Sequence, residues 1–225
     1  MPVRLVTAAS QRLALANTFS PHTAEFVAAA GSVSSIPRLA GLPEVVVTGR
    51  ANVGKSTLLN AVMKRKSLVA SSKKPGRTKT LTFFRIGPTP GKVVLVDAPG
   101  YGERGRPEWG ELFNQYLETR AELCRVYILL NAKHGINEAD KVMLRHLDEK
   151  IQSGSRWTLQ AVITKADLVP LHRDTTISSI KRTIFENAPT CLPPIVTGSL
   201  KSTSTSVGVN DLRMSVMEAC ALALR

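Results

Sequence analysis

The chain has 225 residues, with 30 Lys and Arg against 17 Asp and Glu, a formal net charge of +13. That length holds one α/β domain with a full core plus a short extension, and no apolar run approaches membrane-spanning length, so a soluble protein without a membrane span is expected. The charge excess points to a polyanionic partner, with a solvated basic surface as the plain alternative, while three scattered cysteines (Cys124, Cys191, Cys220) match no metal spacing and fit reduced, packed thiols.

Residues 1–22 read as an extension and 23–225 as a single domain. Residues 1–24 contain no acid and carry Arg4 and Arg12 among Ser, Thr, Ala and Leu. That composition suits a mitochondrial targeting segment or the mature end left behind one; a disordered or docking N-terminal helix fits it equally well. The stretch 31–43, rich in Ser, Gly and Pro, is a lead-in loop. From Glu44 onward strand and helix patterns alternate, which predicts a six-stranded, mostly parallel sheet with helices on both faces. Strands are predicted at 44–48, 80–86, 92–97, 125–131, 158–164 and 194–197. Helices are predicted at 56–65, 109–122, 138–151, 174–187 and 208–223. Asn137 before Glu138, Ala139 and Asp140 marks a helix start, and 199–208 reads as a polar, flexible loop.

The first strand, Glu44-Val45-Val46-Val47-Thr48, runs into Gly49-Arg50-Ala51-Asn52-Val53-Gly54-Lys55-Ser56-Thr57. This is G-x-x-x-x-G-K-S between a strand and a helix, the context that makes the pattern a phosphate-binding loop. Successive backbone N–H groups and the positive end of the helix face the phosphates. Lys55 is expected to reach the β- and γ-phosphates, and Ser56 to offer its hydroxyl to Mg²⁺.

A second apolar strand ends in Asp97-Ala98-Pro99-Gly100. It places a carboxylate beside the phosphate loop, where it holds Mg²⁺ directly or through water, and a glycine whose N–H can approach a γ-phosphate. Between the two lies a loop containing Gly76, Arg77, Thr78, Lys79 and Thr80. Thr78 is placed to close onto Mg²⁺ and a γ-phosphate and to let go after hydrolysis; Thr80 competes for that role.

Thr164-Lys165-Ala166-Asp167 follows another strand. Its carboxylate can accept hydrogen bonds from guanine N1–H and the 2-amino group, an arrangement adenine lacks. Lys165 can lay its stem on the purine. Thr164 stands where many GTP-binding proteins have Asn, which predicts the loss of some loop-bracing hydrogen bonds. Thr197-Gly198-Ser199 would complete the base pocket through backbone N–H groups.

Together these residues resemble a translation-factor-class GTPase of the TrmE–Era–EngA–EngB–septin group, and most closely the EngB family. Beyond the generic motifs, the resemblance rests on the runs at 49–57, 73–84, 97–102, 109–120, 132–135 and 164–167, and it spans residue 22 to the end. It implies a Ras-like P-loop GTPase fold, binding of GTP, GDP and Mg²⁺, slow hydrolysis, and a role in assembling the large ribosomal subunit. By motif position, Ser56 and Thr78 would ligate Mg²⁺ near Asp97. Residues 49–56, 76–80, 97–100, 164–167 and 197–199 would line the nucleotide. The implied partners are large-subunit rRNA and assembly intermediates, with no obligate homo-oligomer. Asn131 replaces the family's usual Asp before the Lys133-His134 pair, which leaves the role of His134 open.

Tyr101 stands where Ras-like enzymes place a water-orienting Gln, so slow intrinsic hydrolysis is expected. Lys55, Thr78 and Asn52 are the candidate catalytic groups, Asn52 as a ligand for an activating K⁺ or as a loop-bracing amide. Arg77, Arg104 and Arg106 are candidates for arginine fingers or for rRNA contacts. Lys64, Arg65, Lys66, Lys73, Lys74, Arg77 and Lys79 form an acid-free stretch around the first mobile loop. Such a surface would couple nucleotide state to RNA affinity. Two other readings stand beside this switch enzyme: an RNA-binding scaffold that holds GTP with negligible turnover, and an ATP-dependent P-loop enzyme. Mitochondrial location is the first expectation and a bacterial cytoplasm the second.

Overall fold

The structure, a computed structural model, describes residues 8–69, 80–101, 107–169, 173–199 and 206–221. In chain order these form α1 (Ala8–Thr18), β1 (Ala24–Ala30), β2 (Glu44–Gly49), α2 (Lys55–Val62), β3 (Leu81–Ile86), β4 (Val93–Asp97) and α3 (Pro107–Thr119). There follow β5 (Leu123–Asn131), α4 (Glu138–Gln152), β6 (Thr158–Thr164), α5 (Arg173–Asn187), β7 (Leu192–Val196), β8 (Gly198–Ser199), β9 (Ser206–Val207) and α6 (Val209–Ala219).

The main sheet has seven strands in the order β1-β3-β4-β2-β5-β6-β7, one more than the six expected. The additional strand is β1, Ala-Glu-Phe-Val-Ala-Ala-Ala, which pairs antiparallel with β3. An alanine-rich run has little strand propensity of its own, so its conformation comes from that pairing and is invisible to local pattern. The stretch 199–208 is also more ordered than expected at its ends, where β8 and β9 pair Gly198 with Val207 and Ser199 with Ser206.

β4, β2, β5, β6 and β7 are all parallel. Both faces of these strands are covered, so residues alternate between two apolar cores rather than between core and water. Val46, Val126, Ile128 and Leu130 face one core, packed by Tyr116 of α3, Leu144 of α4 and Ile184 of α5. Val45, Val47, Tyr127 and Leu129 face the other, packed by Leu59 of α2, Val216 of α6 and Leu15 of α1. Because the strands run the same way, their C-terminal ends line one edge. Gly49, Asp97, Asn131, Thr164 and Val196 are the last residues of their strands. The crevice outside the strand ends is where such sheets bind ligands.

Helix boundaries differ from expectation where the stop signal is unusual. α2 ends at Val62 rather than residue 65, because Lys64 takes a left-handed φ of 52° and Arg65 N–H returns to Asn60 O at 2.9 Å. This is the geometry usually given to glycine, so a lysine there offers no punctuation to read. α4 begins as read: Asn137 accepts from Asp140 N–H, and Asp140 accepts in return from Asn137 N–H.

At the opposite flank, Phe19, just past α1, is 1% exposed and lies under the Arg213 guanidinium, 5.8 Å from ring centroid to Cζ. Arg213 also donates to Val62 O at 2.9 Å and Ala61 O at 2.5 Å, capping the last turn of α2. A cation on these terminal carbonyls is stabilised by the helix dipole as well as by the hydrogen bonds. Among the described residues, no helix is long and apolar enough to cross a membrane.

Candidate functional site

Gly49 is the point at which the chain leaves β2. A side chain there would place a Cβ 2.9 Å from Leu129 Cβ and 2.9 Å from Val53 Cγ1, so only glycine allows the loop to fold back on β5. Gly54, at φ 102°, precedes α2, whose first turn has neither a side-chain cap nor an acid. The positive end of that helix is thus offset by no acid of its own first turn, which suits an anionic ligand. Lys55 Nζ donates to Asp97 Oδ1 at the end of β4. Burial raises the Asp97 carboxyl above its usual range, and the Lys55 ammonium pulls the other way. The pair is nearly covered, so each charge relies on the other when no ligand is present.

Ala98 and Gly100 continue from Asp97 along the phosphate loop. Ala98 N–H donates to Val47 O at 2.9 Å and Tyr101 N–H to Gly49 O at 3.3 Å. A Cβ on Gly100 would come within 3.0 Å of Gly49 O and 3.4 Å of Ala51 N, so this segment lies directly against the loop. The Tyr101 hydroxyl donates to Asp140 Oδ1 at 2.9 Å, and the Arg50 guanidinium donates to the same oxygen at 2.9 Å. Arg50 reaches Gly135 O as well, at 3.1 Å. Burial first, and then the Asp140 charge, push the Tyr101 phenol well above its ordinary pKa, so it remains a donor.

The loop after β6 is tied to the phosphate loop by two of its own residues. Thr164 Oγ1 donates to Val53 O at 2.7 Å. Lys165 Nζ donates to Asn52 O at 2.8 Å, and its Cε lies 3.7 Å from where a Cβ on Gly54 would sit. The expected loss of bracing at Thr164 is therefore only partial, since a hydroxyl supplies a bond an amide would otherwise make, worth about 1 kcal/mol. Asn52 is exposed at φ 60° and is held through its backbone carbonyl. Ala166 N–H donates to Thr197 O at 3.1 Å, and Thr197 N–H to Ile163 O at 2.7 Å. A Cβ on Gly198 would stand 3.1 Å from Asp167 Oδ1. A cavity of about 240 Å³ opens here, lined among others by Gly54, Thr164, Lys165, Asp167, Thr197 and Gly198.

Residues 49–56, 97–100, 164–167 and 197–199 thus meet on one edge of the sheet. Gly76, Arg77, Thr78 and Lys79, with Arg104 and Arg106, lie outside the described residues. Thr80 sits just before β3, its Cγ2 3.7 Å from a would-be Cβ on Gly31, beside the edge strand. Asn131 Oδ1 accepts from Lys133 N–H at 2.9 Å and shapes the turn that leaves Lys133 and His134 exposed. Several residues escaped the sequence reading. Leu58, Leu168 and Val209 also line the cavity, and only Leu58 and Leu168 carried a signal, their adjacency to motifs. Asp140 read as a helix-start acid and nothing more. Among the described residues, no group of three or more His, Cys, Asp or Glu is placed to hold a metal ion. A metal beside Asp97 would depend on hydroxyl, phosphate and water oxygens, and the hard donors Ser56 and Asp97 fit Mg²⁺.

A phosphate loop, an Asp-x-x-Gly segment and a base-reading loop on one edge of this sheet define a Ras-like P-loop GTPase. The sequence profile of the 50S ribosome-binding GTPases matches residues 44–165. The chain belongs to the EngB family of GTP-binding proteins. It is 39% identical over 197 residues to the probable GTP-binding protein EngB of Nitrobacter winogradskyi, covering 85% of this chain and 86% of that protein. The probable EngB of Rhodopseudomonas palustris (strain BisA53) is 38% identical over 203 residues, covering 88% of this chain and 89% of that one. Among solved structures, Toc33 from Arabidopsis thaliana with Mg²⁺ and GMPPNP superposes with a TM-score of 0.59 at 13% identity, over 82% of this chain and 87% of its own. Era in complex with MgGDPNP and nucleotides 1506–1542 of 16S ribosomal RNA gives 0.57 at 19% identity, over 79% of this chain and 56% of its own. These two likenesses speak for the fold.

Proposed function

We propose that this GTPase is a slow, nucleotide-switched assembly factor that grips large-subunit rRNA in one nucleotide state and releases it in the other. The observation that carries the proposal is the joining of three loops at one crevice, with Lys165 and Thr164 bonded to the backbone of the phosphate loop. In this reading residues 49–56 cradle the phosphates, Gly100 meets the γ-phosphate, Asp167 reads guanine, and Thr197, Gly198 and Ser199 close the base pocket. Ser56 and Asp97, with Thr78, hold Mg²⁺. When bound, Mg²⁺ neutralises charge on the β- and γ-phosphate oxygens. Lys55 adds its own charge there, and the loop amides and the start of α2 complete the electrostatic field without reorganising. Asn52 is the candidate K⁺ ligand.

The polyanion-binding surface in this reading is the acid-free basic stretch from Lys64 to Lys79. Lys64 and Lys66 at its near end are exposed, as are Lys133 and His134 on the neighbouring turn. The description of the matched family as 50S ribosome-binding supports the large subunit as target. For location, bacterial relatives favour a bacterial cytoplasm over the mitochondrion that the acid-free start suggests. Affinity for large-subunit rRNA is expected to differ at least about tenfold between a GTP analogue and GDP, with a steeper salt dependence in the tighter state, because phosphate contacts release counterions. Equal affinities and equal salt slopes, measured by titration against labelled rRNA, would sink the switch.

One observation favours the scaffold reading. The Tyr101 hydroxyl is already committed to Asp140 and is not free to orient a water. Single-turnover hydrolysis in KCl and in NaCl, with and without large subunits, separates the two readings. The switch predicts acceleration by K⁺ or by subunits of about tenfold or more, as a cation at the phosphates would supply part of an arginine finger's charge. A flat, negligible rate in all four arms leaves the scaffold.

A further inference from the structure

We propose that Asp140 is a positioning residue: by holding Tyr101 and Arg50 on one carboxylate oxygen, it keeps Gly100 against the phosphate loop and so raises preference for GTP over GDP. This rests on the nucleotide assignments above and adds to them the residue that sets the balance between the two states.

Asp140 is 0% exposed, and its two oxygens serve three elements. Oδ1 accepts from Tyr101 and Arg50, each at 2.9 Å, and Oδ2 accepts from Asn137 N–H at 3.1 Å. Arg50 belongs to the phosphate loop. Tyr101 follows the Gly100 expected at the γ-phosphate, and Asn137 is the N-cap of α4. The carboxylate therefore anchors the phosphate loop and the Gly100–Tyr101 segment to a packed helix outside the nucleotide crevice. A hydroxyl has one proton to give, and that of Tyr101 is given to Asp140. Its backbone completes the closure: Tyr101 N–H bonds Gly49 O at 3.3 Å, Arg50 and Tyr101 form a parallel bridge, and Gly100 has no room for a side chain.

Held this way, the Gly100 segment stands beside Ala51 of the phosphate loop. GDP and GTP share the contacts of the loop and of Lys55 with the β-phosphate, whereas only GTP carries the phosphate that Gly100 meets. A tether that pre-places Gly100 lowers the ordering cost of binding GTP alone. Arg50 holds the shared carboxylate in line, and its second bond to Gly135 O extends the tether to the exposed Lys133–His134 turn.

Tyr101→Phe removes one hydrogen bond while leaving Asp140 paired with Arg50 and Asn137. Asp140→Asn removes the charge that holds Arg50 and disturbs the cap of α4. Dissociation constants for GDP and for a non-hydrolysable GTP analogue with Mg²⁺ are measured on the full chain, with thermal melts to establish that each variant is folded. In Tyr101→Phe the GTP-analogue affinity is expected to fall about fivefold relative to GDP, the worth of one ordinary hydrogen bond. Asp140→Asn is expected to lose more, and Tyr101→Phe decides alone if that variant does not fold. Equal losses for the two nucleotides would reduce Asp140 to a structural role, and a rise in GTP preference would mean that the tether holds the opposite state; either overturns the proposal. Wild-type protein that binds neither nucleotide would instead overturn the underlying assignments.

Discussion

Lys55→Met is expected to weaken binding of GTP and GDP by about 100-fold or more, with the greater loss for GTP. The methionine keeps the length of the stem and its packing at the start of α2, and removes only the charge. Two effects combine. The β- and γ-phosphates lose charge-assisted hydrogen bonds of about 1.5–3 kcal/mol each. Asp97, 6% exposed, loses the Lys55 cation that offsets its burial, and its carboxyl moves further upward from its already raised position. The second effect appears in the free protein too, so the variant is expected to melt at a lower temperature as well. Calorimetric titration with both nucleotides and a thermal melt check this. Affinities within about threefold of wild type would remove Lys55 from the phosphate site, whatever the melt shows.

Asp167→Asn is expected to exchange one base for another. Guanine offers N1–H and the 2-amino group to a carboxylate, whereas an amide presents one acceptor and one donor. Xanthine has a carbonyl where guanine has the amino group, so the amide pairs with it. GTP affinity should fall about 100-fold or more and xanthosine triphosphate should become the better ligand, because a site built around buried hydrogen bonds rejects the mismatched base strongly. Asp167 is well placed for this, lining the cavity with Thr164, Lys165 and Gly198 and packed close against the last of these. Competition among GTP, XTP and ATP on both proteins measures it. Wild-type protein that takes ATP as readily as GTP would return the molecule to the third reading of its sequence, and an Asp167→Asn variant with unchanged base preference would show that the base lies elsewhere.

These two residues were legible in the sequence because each sits in a short pattern beside a strand whose direction could be inferred. Once β4, β2, β5, β6 and β7 are parallel, their ends must share an edge, and the motifs meet without further information. What was not legible depends on distant partners. β1 is a strand because β3 is beside it, not because alanines favour one. Asp140 lies 90 residues from Arg50 and 39 from Tyr101, and nothing in a helix-start acid announces two such partners. Thr164 departs from the common Asn, and its hydroxyl bond to the Val53 carbonyl, 111 residues away, has no local signal. The early end of α2 at Val62 hides behind a lysine in a glycine's conformation.

Phe19 and Arg213 tie the start of the chain to its catalytic end. The guanidinium that rests on the Phe19 ring also grips the last carbonyls of α2, and that same helix begins at Lys55, directly after the glycine loop. A version of the protein trimmed past Phe19 would keep all the residues proposed to hold nucleotide and still uncover a buried cation at the far end of α2. Shortened or N-terminally fused forms are therefore unsafe stand-ins for the whole chain when affinities are compared.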